Sequence, residues 1–471
     1  MLRLPDRARR PPGWGITAVS GEAGSRRSGR ETALRALVRV EQDCAYLNLA
    51  LPALLEKLPP EERNLAVRLA AGTLQRLNTL DWALNLFLRR PLNNFTPWIR
   101  NLLRLSAYQL LYMDQVPGYA AVDEAVTLAR RFGHRGVAGL VNAVLRRLSR
   151  ETGRLPWPDP GENPVQYLSL KYSYPLWLTA RVTGRLGFEE AERWCLANNE
   201  KAPVSVRPNL LRTKPERLKE KLEAENIKAV ESPVVPGVLR IEPGGVPVKT
   251  EAFREGLFTI QGESSALVVP LFEPEPGATV IDLCSAPGGK TTHLAELMED
   301  RGRIFAVDLH KSRLQLVARA ARRLGFTSIK CIQADGRTIV EQKLPQPQAV
   351  LVDAPCSGLG VIRRLPEIKW RREEQDLFKL QKMQIELLCG AAALLPPGGK
   401  LLYSVCTTEP EETIDVVGIF NSRHESFHLE PLPPLLPPQL RKNQGDRSTV
   451  TLWPHRHGLD GFYIALWRKK G

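Results

Sequence analysis

The side chains best suited to making and breaking bonds are two thiols and a carboxylate: Asp353 and Cys356 in DAPCSGLG (353–360), and Cys406 in LLYSVCTTEPEE (401–412). A thiol attacks as its thiolate, which is favoured beside a cation or a helix start and disfavoured in apolar packing. Each segment follows a short apolar run with strand character, so both thiols fall at the mouth of a sheet. Cys44, Cys195, Cys331 and Cys389 lie inside apolar patterns and read as packing. A third stretch, VIDLCSAPGGKT (280–291), passes from apolar residues through an acid into a Pro-Gly-Gly turn, then into the periodic Thr292, Leu294, Ala295, Leu297 and Met298. That is strand, loop, helix. Without Cβ atoms, Gly288 and Gly289 let backbone amides face an anion or a cofactor tail.

The neighbouring residues narrow the cofactor. Gly289-Lys290-Thr291 invites comparison with a phosphate loop, but GxxxxGK[ST] needs glycine where Cys284 stands, so a nucleoside triphosphatase fits poorly. The dehydrogenase pattern GxGxxG is absent. Asp308 lies 308 − 288 = 20 residues beyond Gly288, where nucleotide-binding folds place a carboxylate on ribose hydroxyls. The cofactor therefore carries a ribose. Asp282, Asp308, Asp335, Asp353 and Cys406 all close strands, and ligands of doubly wound sheets bind at those carboxyl ends.

Positioning these residues requires alternating strands and helices. Strands are expected at 280–283, 303–307, 328–333, 349–352 and 400–405, with a β-hairpin of 449–453 and 462–467 at the sheet's edge. Residues 250–471 thus form a doubly wound α/β domain that also takes in a candidate strand at 258–261. Ahead of it, 31–150 shows helical periodicity throughout, giving a bundle of six or seven helices, the last spanning 121–148. Residues 151–163 read as a Pro/Gly-rich linker, and 164–249 as a helical connector followed by a small β-α-β-β domain. Residues 1–30, with seven arginines among Gly, Pro and Ser, read as a disordered basic tail.

Lys and Arg exceed Asp and Glu by 66 − 51 = 15, which points to a polyanionic partner, usually nucleic acid. Arg130, Arg131, Arg135, Arg146 and Arg147 form either an RNA-facing surface or a solvated helix face. No apolar run reaches the length of a membrane span. Seven scattered cysteines without CxxC spacing argue against a disulfide framework and a zinc site, and for a reducing cytoplasm.

DLCSAPGGKT, DAPCSGLG and LLYSVCTTEPEE resemble the motifs of the NOL/NOP/Sun family of S-adenosylmethionine-dependent RNA cytosine-C5 methyltransferases. RNLLRLSAYQLLYMDQVPGYAAVDEAVTLARRFG is similar to the NusB-like RNA-binding fold that precedes the catalytic domain in the Sun type, which acts on small-subunit rRNA. KYSYPLWL, LANNEKAPVSVRPN and FREGLFTIQGESSALV match that type too, so the resemblance covers roughly 31–471. It implies a NusB-like all-α bundle, a small α+β, RRM-like middle domain and a C-terminal Rossmann-like methyltransferase domain. It implies methylation of C5 of a cytosine in 16S rRNA through a covalent Cys–C6 adduct. The alternatives are the same chemistry on tRNA, or a non-catalytic RNA-binding or antitermination factor.

Carried over residue by residue, the resemblance makes Cys406 the nucleophile on C6, Cys356 the group that helps remove the C5 proton, and Asp353 the group that offsets charge at N3. Cys284, Ser285, Ala286, Pro287, Gly288, Gly289 and Lys290 would wrap the methionine and sugar of S-adenosylmethionine, with Asp353 bordering them. Asp308 would hold the ribose, Arg313 would anchor the Asp308 loop, and Asp335 would lie near the adenine or amino end. Val405 stands where the family often has Thr or Ala. Arg363, Arg364, Lys369 and Trp370 are expected as walls of the base pocket. The expected partner is 16S rRNA, bound by a cytoplasmic monomer that needs no metal.

Overall fold

The computed structural model describes residues 28–471 except 57, 244, 433–435 and 442–447. The chain divides into two compact units, Met1–Asn199 with Arg364–Arg372, and Glu200–Arg363 with Glu373–Gly471. Most of the expected basic tail lies outside the described residues. Its last residues do not: Ser28 caps the helix Gly29–Gln42 by accepting from the Glu31 amide.

In the first unit, apolar residues at helical spacing build one core from Leu34, Leu37, Leu69, Leu80, Leu102, Leu145 and their neighbours. The expected helix 121–148 is two helices, Gly118–Phe132 and Arg135–Glu151, packed against each other. Gly133 breaks them with ψ at −138°, outside the helical range. Part of the basic face is already engaged, since Arg131 pairs with Glu31 at 2.7 Å and Arg147 lies over the Phe87 ring at 5.2 Å. The expected linker is not a free spacer. Leu155 is buried in the helical core and Trp157 packs 4.6 Å from Trp82. Helices Pro164–Tyr172, Leu176–Leu186 and Phe188–Asn199 complete the unit.

Segment 364–372 overturns the expectation placed on it. Trp370 joins the helical core and donates from Nε1 to the Leu74 carbonyl at 2.6 Å. Lys369 has no exposed surface and lies over the Tyr174 ring at 4.0 Å, while Glu367 accepts from the Leu47 amide at 2.8 Å. Burial holds the Lys369 amine well below its usual range. An amine and an indole sealed in this way cannot line a base pocket. The segment expected to wall a base pocket is a buried strap.

The second unit holds two sheets. The smaller comprises β1 (Val204–Pro208), β2 (Ala229–Glu231), β3 (Leu239–Ile241) and β4 (Phe258–Ile260), all antiparallel in the order β2-β3-β1-β4. Helix Pro215–Ala224 supplies Leu218 and Leu222 to its core. The strand at 258–260, grouped with the α/β domain by sequence, instead pairs with β1, Val206 opposite Ile260. The buried Phe258 side chain belongs to that core.

The larger sheet contains β5 (Thr279–Leu283), β6 (Arg303–Asp308), β7 (Ile329–Gln333), β8 (Ala349–Asp353), β9 (Lys400–Val405), β10 (Phe427–Leu429), β11 (Thr449–Leu452) and β12 (Phe462–Lys469). Its order is β10-β12-β9-β8-β5-β6-β7, with β11 on β12. β9, β8, β5, β6 and β7 are parallel, and every residue of β5 is buried, as a strand covered on both faces requires. The β11–β12 hairpin forms as expected, but β12 is not an edge. It runs antiparallel to β9 through Tyr463–Arg468 and pairs with β10 as well.

Candidate active site

The candidate cofactor loop begins where β5 ends. Asp282 is buried, its Oδ2 accepting from the Thr291 hydroxyl at 2.6 Å, which ties the strand's last acid to the first turn of helix Gly289–Leu297. Burial pushes its carboxyl up to about 7. Between these anchors Cys284 takes φ 62°, Ala286-Pro287 is cis, and Gly288 takes φ 105°. A Cβ at Gly288 would stand 3.1 Å from the Val317 Cα on helix Lys311–Leu324, so that turn requires glycine. The Cys284 thiol is pushed up by burial and by Asp308, Asp353 and Asp282, so it stays a neutral wall.

Asp308, at the end of β6, is also buried. Its Oδ1 accepts from the His310 amide at 2.9 Å, while among the described residues Oδ2 has only the longer contacts to Ala286 N (3.4 Å) and Arg313 (3.6 Å). Arg313 donates to the Ala286 carbonyl at 3.0 Å, joining the two loops. Asp308 Oδ2 therefore keeps capacity to accept from a ribose hydroxyl. The buried Ser285 Oγ has no partner among the described residues. Unspent polar atoms at a glycine-bearing turn fit a ribose-containing cofactor.

Two strands lead into Asp353, Cys356 and Cys406. β8 and β9 are paired so that Asp353 stands opposite Ser404, whose hydroxyl donates to Asp353 Oδ1 at 2.8 Å. Lys290, one residue into the helix after the cofactor loop, reaches Asp353 Oδ2 at 2.7 Å and lies 5.2 Å from the Phe462 ring centroid. Its amine is nearly buried, whereas the Asp353 side chain is partly exposed. Just beyond, the sulfurs of Cys356 and Cys406 are 3.3 Å apart. The Cys356 thiol is held well above its usual range, first by the hydrogen bond with Cys406 and then by burial.

Both thiol loops are fixed by a backbone crossing. Gly360 donates to the Cys406 carbonyl at 3.0 Å and accepts from Gly461 at 2.8 Å. A Cβ on Gly360 would fall 2.0 Å from the Gly461 carbonyl oxygen.

The structure brings Lys290, Asp353, Cys356 and Cys406 together and joins Ala286, Asp308 and Arg313 around the loop. Asp335 stands apart from the thiols. It follows β7, three strands from β8, and Arg337 engages both of its oxygens, Nε to Oδ1 at 3.0 Å and Nη2 to Oδ2 at 2.6 Å. Sequence reasoning missed Ser404 and Phe462. Alternation along β9 could have found the first, since its register with Asp353 follows from pairing two parallel strands. Nothing marked Phe462. Arg363 is buried with Asp460, 3.7 Å away, rather than presented to a substrate. Among the described residues no group of three or more His, Cys, Asp or Glu side chains is arranged to hold a metal, and no helix is long and apolar enough to cross a membrane.

A family model described as 16S rRNA methyltransferase RsmB/F matches residues 269–468, which include all of these groups. The NusB family matches 27–150, and the ferredoxin-like domain of RsmF/B-like methyltransferases matches 174–249. A relative from Bacillus subtilis (strain 168), a probable ribosomal RNA small subunit methyltransferase B, is 38% identical over 448 residues, covering 94% of this chain and 99% of its own. The chain belongs to the ribosomal RNA small subunit methyltransferase B family. The Salmonella dublin member is 33% identical over 444 residues, covering 94% and 98%. The crystal structure of PH0851 superposes with a TM-score of 0.80 at 30% identity, covering 93% of this chain and 98% of that one. Membership in this methyltransferase B family carries S-adenosylmethionine-dependent rRNA methylation with it.

Proposed function

We propose that this methyltransferase B family member methylates C5 of a cytosine in 16S rRNA, with Cys406 as nucleophile. The observation that carries the reading is the pair of sulfurs 3.3 Å apart beside the Lys290–Asp353 pair at the mouth of one parallel sheet. C5 of a pyrimidine is too weak a nucleophile to take a methyl group unaided. Attack of the Cys406 thiolate on C6 forms an S–C6 bond and moves the C5=C6 electron pair onto C5. Asp353 and the Lys290 ammonium meet the charge that develops on the ring. After transfer, Cys356 helps to remove the C5 proton, which passes to solvent water. The C5–H electrons restore the double bond and the S–C6 bond breaks, freeing Cys406. Two steps, attack and release, account for two thiols.

S-adenosylmethionine, when bound, supplies an electrophilic methyl group on its sulfonium. Residues Cys284 to Lys290 would hold it, with Asp308 Oδ2 on the ribose, Arg313 bracing the loop and Asp335 towards the adenine. Ser404 positions Asp353 by its hydroxyl, which frees Oδ2 for Lys290. The target base must leave its stack, at a cost of a few kcal/mol that is smallest in loops or single strands. Basic side chains of the helical unit are suited to the flanking phosphates.

The test is methyl transfer from labelled S-adenosylmethionine to unmodified 16S rRNA, with the product base identified by mass spectrometry. Cys406→Ala is expected to abolish labelling. Wild-type labelling by that variant, or a label away from cytosine C5, refutes the assignment.

A further inference from the structure

We infer that Glu412 is the positioning residue that holds Cys356 and Cys406 at working distance, an inference that rests on reading both thiols as reacting groups. Glu412 lies six residues past Cys406 in the short turn Pro410–Glu412 and has no exposed surface. Its Oε1 accepts from the Ser357 amide at 2.7 Å and from Gln384 Nε2 at 3.0 Å. The same Gln384 nitrogen donates to the Pro355 carbonyl at 2.9 Å. The backbone groups on either side of Cys356, carbonyl before and amide after, are therefore fixed to one Glu412–Gln384 couple.

The couple also reaches the other thiol loop. Ser357 Oγ donates to Thr407 Oγ1 at 3.1 Å, and Thr407 directly follows Cys406. Tyr403, three residues ahead of Cys406, donates its hydroxyl to the Glu412 carbonyl at 2.8 Å. The carboxylate and the backbone of one residue thus fasten segments flanking both sulfurs. Burial raises the Glu412 carboxyl, while hydrogen bonds from Ser357, Gln384 and Thr407 draw it back. A buried carboxylate is a poor source of stability compared with apolar packing of the same volume. Its asset is direction: Oε1 holds the Ser357 amide and Gln384 Nε2 at fixed distances, while Glu412 Oε2 and Gln384 Oε1 have no hydrogen-bond partner among the described residues. Among the described residues, no hydrogen bond or ion pair joins Glu412 or Gln384 to the cofactor loop, so the clamp acts on the sulfurs without touching the cofactor's seat.

The experiment reads the sulfur separation directly. The full chain is treated with diamide, a diazene oxidant. Cys356 and Cys406 each give up a proton and an electron to form an S–S bond, and the N=N group takes both to become a hydrazine. The bridging rate, followed by peptide mass, is compared for wild type, Glu412→Gln, Glu412→Ala and Gln384→Met. Wild type should bridge fastest. Glu412→Gln, which keeps an acceptor for the Ser357 amide, should stay within about threefold, and Glu412→Ala and Gln384→Met should fall about tenfold or more, since catalytic groups moved by about 1 Å lose rates on that scale. In methyl transfer, the latter two should lose kcat while KM for S-adenosylmethionine stays within about twofold. Wild-type bridging by both Glu412→Ala and Gln384→Met, or a KM that rises in step with the fall in kcat, overturns the inference. If Glu412→Ala does not fold, Gln384→Met alone decides. Bridging needs no methyl transfer, so the proposed reaction and the positioning role can fail separately.

Discussion

Replacing Asp282 by Asn should change how stability depends on pH, and the structure gives its size. Asp282, next to last in β5, has no exposed surface, its Oδ2 bonded to Thr291 and its Oδ1 without a partner among the described residues. Its carboxyl ionises near 7 in the folded chain and near the ordinary 3.8 when unfolded. Between those values the folded state holds a proton that the unfolded state has released, so stability falls as pH rises. Each pH unit costs about 1.4 kcal/mol, and three units amount to something on the order of 4 kcal/mol. The loss is absent below the lower value and complete above the higher one. Asparagine keeps an acceptor for the Thr291 hydroxyl and cannot ionise. Urea unfolding of wild type and Asp282→Asn at pH 4, 5, 6, 7 and 8, followed by hydrogen exchange of the β5 peptide, gives the comparison. The variant should gain on wild type by about 1.4 kcal/mol per unit from pH 4 to 7, then level off. Parallel profiles across that window would refute a buried, proton-holding Asp282.

Gly360→Ala drives a Cβ to within 2.0 Å of the Gly461 carbonyl, backbone against backbone, and should cost roughly 2–4 kcal/mol while displacing the Cys406 loop. A melting temperature and a Cys406 alkylation rate both equal to wild type would contradict the crossing. Trp370→Ala should destabilise the helical unit by about 3–5 kcal/mol, seen as earlier loss of helical circular dichroism. Trp370→Phe, which loses mainly the bond to Leu74, should cost about 1 kcal/mol. Equal losses in the two variants would mean that the ring is not packed as described.

The strands that carry the site were legible because a parallel sheet covered on both faces writes each strand as an unbroken apolar run ending in a polar residue. Val280, Ile281, Leu351 and Leu402 announce their strands in this way, and Asp282, Asp353 and Cys406 mark the ends. What escaped notice depends on pairing between distant segments. β4 has the same β-branched character wherever it docks, and only its register with β1 assigns it to the small sheet. The strap was misread because Arg364, Lys369, Arg371 and Arg372 look like surface by composition, whereas its burial comes from partners such as Tyr174 and Leu74, nearly 200 and 300 residues earlier in the chain. Glu412 was likewise hidden within an acidic run, TTEPEE, whose charges suggest solvent. One helix was read where there are two because glycine within an amphipathic stretch does not reveal whether the chain turns there.

The place of β12 bears on how the protein is made. Among the strands of the large sheet it comes last in the chain, yet it lies against β9, the strand that leads into Cys406. As a nascent chain leaves the ribosome, β5 to β9 can assemble first, leaving one side of β9 with unpaired amides and carbonyls until residues 463–468 emerge. Gly461, which braces the Cys406 loop through Gly360, arrives with the same strand. A chain still in synthesis therefore lacks the support for the Cys406 loop, which cannot be fixed ahead of the last strand.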